Sequence, residues 1–93
     1  MREYEGLFIL KPDMEKEELA NLCQKIQENI KKYKGETSGV EEWGKKLLGH
    51  KIKKYREGIY YLMKVKLDPS SIQLLNADLK LNESILRTMF TQI

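Results

Sequence analysis

Apolar and polar residues alternate, break and resume along this chain so as to lay out six elements. From Glu3 to Lys11, Tyr4, Phe8 and Leu10 share one side of an extended strand, and Leu7 and Ile9 share the other. Apolar residues on both faces place such a strand inside a sheet, covered at least in part on each side. Pro12-Asp13 ends it, with Asp13 placed to cap a helix. Over Met14 to Lys34 the spacing switches: Leu19, Leu22, Cys23, Ile26, Ile30 and Tyr33 form one helical stripe. Glu15, Glu17 and Glu18 lie near its start and Lys31, Lys32 and Lys34 near its end, as the helix dipole favours. Gly35 is a natural stop.

Glu36 to Leu48 predicts a second strand, interrupted at Gly39 and Gly44, and Gly49 to Glu57 a polar, basic loop. Gly58 opens the clearest alternation in the chain: Ile59, Tyr61, Met63, Val65 and Leu67 against Tyr60, Leu62, Lys64 and Lys66. Asp68-Pro69 is a cap followed by proline at the first helical position. The second helix reaches about Lys80, with Ile72, Leu75 and Leu79 inward. Asn82-Glu83 turns the chain into a last strand over Ser84 to Gln92. The order β-α-β-β-α-β predicts an α+β, ferredoxin-like domain: a four-stranded antiparallel sheet with two helices on one face. The expected strand order is four-one-three-two.

The chain has 93 residues, which fits one domain spanning 1–93. At 41% hydrophobic it can supply a core. No apolar run approaches a membrane span, and the acidic start does not read as a signal peptide. The lone Cys23 cannot form an internal disulfide. These features predict a soluble, unsecreted protein. Net charge is +3, but its placement is more informative. Six of the 17 cations (Lys45, Lys46, Lys51, Lys53, Lys54 and Arg56) lie between Trp43 and Arg56 with no anion among them. Elsewhere the 14 anions outnumber the remaining 11 cations. Such a focus attracts polyanions such as nucleic acid.

Catalytic constellations are missing. His50 lies in the basic segment and Cys23 on an apolar helical stripe, so neither has metal-ligand partners nearby. Glu41 and Glu42, as strand neighbours, point to opposite faces. The glycines are too dispersed to cradle a phosphate. No catalytic residue, metal or cofactor is expected. What remains is the basic segment with its interleaved rings, Trp43, His50 and Tyr55. Cations hold phosphates and rings stack on bases; a merely solvated charged hairpin is the alternative. Trp43 itself is expected to pack on the sheet.

The stretch EEWGKKLLGHKIKKYREGIY, from Glu41 to Tyr60, resembles the most characteristic segment of the ribosomal protein S six family of the bacterial small subunit. The matches there are Glu42, Trp43, Gly44, Lys45, Lys46, Leu48, Ile52, Lys54, Gly58 and Tyr60. The opening Met1-Arg2-Glu3-Tyr4-Glu5, the Pro12 turn and the closing run from Leu81 to Met89 also fit. Gly49-His50-Lys51 departs from the family pattern, and the charged tail of many members is missing. The resemblance implies the ferredoxin-like fold and a structural role without catalysis. It implies binding to the central domain of small-subunit ribosomal RNA together with ribosomal protein S eighteen, in a cytoplasmic or organellar ribosome. Carried over by position, Arg2, Lys45, Lys46, Lys54 and Arg87 are RNA-contact candidates, with Tyr4, Tyr60 and His50 as further ones. Arg2 and Arg87 are expected near the lysines in space. Leu7, Ile9 and Leu62, on the helix-free face, are the partner-protein candidates. An RNA-recognition-type domain for single-stranded RNA would share this framework, but Gly58-Ile59-Tyr60-Tyr61-Leu62 lacks its third-strand pattern.

Overall fold

A computed structural model describes residues 1–93. The elements are β1 (Arg2–Leu10), α1 (Lys16–Lys32), β2 (Glu36–Ile52), β3 (Tyr55–Leu67), α2 (Pro69–Lys80) and β4 (Ile85–Gln92). They form one antiparallel sheet in the order β2-β3-β1-β4, as the strand patterns predict. Alternate residues of β1 and β3 (Tyr4, Phe8 and Leu10; Ile59, Tyr61, Met63, Val65 and Leu67) meet Leu22, Ile26 and Ile30 of α1 and Leu75 and Leu79 of α2 in one core. Phe8 has no exposed surface and meets Phe90 edge-on, with ring centroids 5.8 Å apart.

Three local expectations are corrected. Asp13 does not cap α1: Glu15 holds the capping position with an extended backbone and no side-chain hydrogen bond. Residues 12–15 are spent crossing from sheet to helix, and Glu17 and Glu18 supply the negative charge in the first turn.

The stop at the other end of α1 is not glycine's doing in the expected sense. Tyr33 is the C-cap, Lys34 N–H donates to the Lys31 carbonyl, and Gly35 N–H donates to that of Ile30. That is a Schellman closure in which Lys34 itself takes the left-handed turn at φ 62°. Gly35 is there for space: a Cβ would lie 2.4 Å from Leu67 Cδ2, 2.8 Å from Ile30 Cγ2 and 3.0 Å from the Ile30 carbonyl. The two positions should therefore respond oppositely. Lys34→Gly should raise stability by about 1 kcal/mol, because a left-handed side chain costs about 1–2 kcal/mol. Gly35→Ala should lower it by about 1–3 kcal/mol through overpacking. Paired urea melts check both signs; equal effects would mean the turn relaxes around either residue.

The third correction concerns residues 49–57, expected as a loop. β2 and β3 run on as a two-stranded ribbon beyond Leu10, the last β1 residue paired to β3. Ribbon pairing is made by the backbone, and past the body both faces meet water, so no apolar alternation marks it. At α2 the expectation holds. The Asp68 carboxylate accepts from Ser70 N–H at 3.1 Å and Ser70 Oγ at 3.0 Å, which holds its pKa below the ordinary value, and Pro69 follows at the first helical position.

Candidate nucleic-acid interface

The ribbon carries the charge, and its irregularities decide where the charge points. The register of β2 against β3 shifts between Thr37 and Gly39, between Glu42 and Gly44, and between Leu47 and Ile52. Gly44 adopts φ 82° at the second shift. The third is the largest: residues 48–51 on β2 stand opposite the single residue Arg56 on β3. Extra residues on one strand bend it and increase its twist. At the tip Ile52 pairs with Tyr55, which leaves Lys53 and Lys54 as a two-residue turn, with Lys53 left-handed at φ 56°.

The tip does not stand alone. Lys53, Lys54 and Tyr55 line a cleft with Lys11 and Glu83, and Lys53 lines a second with Lys80 and Arg87. The ribbon leans across the end of β1 toward β4 and gathers cations from four parts of the chain. Neither ion pair in the molecule, Lys32–Asp78 or Lys66–Glu3, engages any of them. Lysines without internal partners are available to an external anion.

Lys45 and Lys46 are both exposed but pair with Ile59 and Gly58 respectively, so they project to opposite sides of the ribbon. The Lys46 ammonium sits 5.2 Å from the centroid of Trp43. Trp43, expected to pack on the sheet, is 45% exposed and is the extra residue of the bulge. His50 is exposed beside Lys51 and Arg56. Arg87 pairs with Ile9 and is exposed, at the same end of the sheet as the tip.

Two RNA candidates do not fit that end. Arg2 pairs with Leu67, eight β1 residues from the Leu10–Ile59 pair. At about 3.3 Å per residue it lies roughly 26 Å away, so it is not close to the lysines. Tyr4 is 8% exposed and belongs to the core, because even-numbered β1 residues face the helices. Lys11, Lys53 and Lys80 are cations that strand patterns did not single out. Lys11 and Lys80 are isolated in sequence, and only topology brings them to the tip.

The helix-free face is read off the register in rows. One row runs Arg87, Ile9, Tyr60, Gly44; the next runs Met89, Leu7, Leu62, Glu41. Leu7, Leu62 and Tyr60 are half-buried, and Met89 is exposed. Ile9 lies on this face as expected but retains only 5% exposure. It fills the space over Gly58, where a Cβ would approach its Cγ2 to 2.5 Å. Ile9 supports the patch rather than offering surface, and Met89 takes its place at the rim.

Under the helices, the one cysteine is unremarkable chemically. Cys23 is partly buried against the core, and burial raises its thiol pKa. Burial also raises the Tyr61 phenol well above its ordinary value, with Cys23 and Glu42 adding to it. Tyr33 Oη donates to the Asp78 carboxylate and ties α1 to α2, which holds the carboxyl low. No group of three or more His, Cys, Asp or Glu side chains is placed to hold a metal.

Known proteins resemble this chain along its whole length. A family model described as ribosomal protein S6 matches residues 3–92. The small ribosomal subunit protein bS6 of Moorella thermoacetica is 34% identical over 93 residues, all of this chain and 95% of that protein. Its counterpart in Desulforamulus reducens is 36% identical over 89 residues, 96% of this chain and 94% of that one. The crystal structure of 30S ribosomal protein S6 from Thermotoga maritima superposes with a TM-score of 0.89 at 29% identity, covering 99% of this chain and 87% of that one. The fold, the tryptophan-bearing basic ribbon and the end-to-end match agree, and the chain belongs to the ribosomal protein S6 family of the small ribosomal subunit, a family of structural proteins and not of enzymes.

Proposed function

We propose that the domain binds the central domain of small-subunit ribosomal RNA through its basic ribbon, and ribosomal protein S eighteen through its helix-free face, within a cytoplasmic ribosome. The observation that carries the reading is the convergence of Lys53 and Lys54 at the ribbon tip with Lys11, Lys80 and Arg87, none of them in an ion pair. The Leu7–Leu62–Met89 row supplies the apolar surface beside it. A single-strand-stacking role of the RNA-recognition type is less well served: Tyr4, Phe8 and Tyr61 all face the helices, and only Tyr60 is left on the open face of β1 and β3. Base stacking needs rings that face the ligand.

Lys45 and Lys46 provide the test. Phosphate contacts position a protein without reading sequence. Lys45→Ala with Lys46→Ala should weaken binding to the central-domain RNA, with the partner protein present, and equally to unrelated RNA. The slope of log affinity against log salt should flatten by about one unit per lost contact, somewhat less on single strands. Thermal melts should show the fold unchanged within about 0.5 kcal/mol. An unchanged slope with an intact fold would reduce this stretch of the ribbon to a solvated hairpin.

A further inference from the structure

The cleft between the ribbon tip, α2 and β4 has a composition that its position alone does not explain. It encloses about 410 Å³ and brings together Lys53, Lys80 and Arg87 with Asn76 and Thr88. No acidic residue lines it. Asn76 Oδ1 and Thr88 Oγ1 are buried side-chain oxygens with no hydrogen-bond partner in the protein, and no other side chain has such an atom. Buried polar atoms are almost always paired, so two orphans in one cleft call for a reason. Lys53 adds a third oddity. It occupies φ 56°, where glycine or asparagine is favoured, yet it carries a charge into the cleft wall.

Cations and neutral donors in one recess are complementary to a tetrahedral oxyanion. The Thr88 hydroxyl proton has no internal acceptor and is free to donate. Asn76 can present either end of its amide by rotation about χ2. The geometry points to a phosphate site here: Lys53 and Lys80 neutralise the anion, while Asn76 and Thr88 donate hydrogen bonds to its oxygens. The inference rests on the RNA-binding reading, since the source it favours is one backbone phosphate of the ribosomal RNA. Free inorganic phosphate has the same chemistry.

The double variant Asn76→Ala with Thr88→Val removes both neutral donors and no charge. RNA affinity should fall about tenfold, the effect of lost hydrogen bonds to a charged group, while the salt slope stays at its wild-type value. The variant should melt at or above the wild-type temperature, because two unpaired buried oxygens are gone. That opposition, weaker binding in a protein no less stable, is not what a structural role for these side chains produces. In parallel, inorganic phosphate is titrated against chloride at constant ionic strength while amide resonances of Lys53, Asn76 and Thr88 are followed in both proteins. Weakened RNA binding identifies the RNA backbone as the source. Unchanged RNA binding, with phosphate shifts present in wild type and lost in the variant, identifies a site for free phosphate alone. Unchanged RNA binding and silent resonances overturn the site. A wild-type protein that does not bind small-subunit RNA at all defeats the RNA reading instead, and the phosphate titration still decides whether the cleft holds an anion.

Discussion

Phe8→Ala should leave the domain close to unfolding. Phe8 is 0% exposed at the centre of the interior strand, and its ring meets that of Phe90 at 88°. The two rings close over Gly6, where a Cβ would lie 2.9 Å from Phe90 Cε1 and 3.1 Å from Phe8 Cε2. No side chain at position 6 can swing in to fill the hole. Emptying such a site costs about 3–5 kcal/mol, against a total stability of about 5–15 kcal/mol for a domain. The urea midpoint should fall by roughly 2 M with little change in slope. A loss under about 1 kcal/mol would mean that Phe90 collapses into the space and that the edge-on pair is looser than its geometry implies.

Leu62→Lys should separate folding from partner binding. Leu62 stands on the helix-free face between Leu7 of β1 and Glu41 of β2. In the free domain a lysine can lay its stem along Leu7 and bring its ammonium to Glu41 or to water, so the monomer stays folded. Under a partner the same ammonium is desolvated without a designed counter-charge. That costs about 2–5 kcal/mol, or roughly 30- to several-thousand-fold in Kd. Calorimetric titration with ribosomal protein S eighteen, beside a melt of each protein alone, makes the comparison. Equal affinities for wild type and variant would remove this row from the partner surface.

The body of the fold was legible because its determinants are local. The period-two alternation after Gly58, the helical stripe from Leu19 to Tyr33 and the Asp68-Pro69 cap each state an element on their own. Apolar residues on both faces of β1 even located it within the sheet. The ribbon was not legible, since its pairing is made by backbone groups that any side chain carries. Polar residues from Gly49 to Glu57 read as a loop although residues 49–52 and 55–57 lie in strands. The candidate site was half visible for a related reason. A charge run such as Lys51 to Arg56 shows in sequence, whereas Lys11 and Lys80 join it only after the ribbon has leaned across the sheet end. Arg2 and Tyr4 stand apart from the ribbon tip for opposite reasons. Matching the family's opening placed them among RNA candidates, but strand direction puts Arg2 at the far end and strand parity puts Tyr4 inside.

The interior position of β1 also governs how the chain can fold as it is made. β1 is made before both of its neighbours in the sheet: β3 ends at Leu67, and β4 follows α2. Pairing with β4 joins residues more than 70 positions apart, such as Tyr4 with Gln92. Contacts of that span are slow to form because the loop-closure entropy precedes the reward. Until β4 arrives, one edge of Leu7-Phe8-Ile9-Leu10 has unpaired backbone groups, and such an edge is a template for another chain. Until β4 has formed, the domain therefore carries its most aggregation-prone strand half covered, and pairing with that eight-residue strand is the step that closes this hazard.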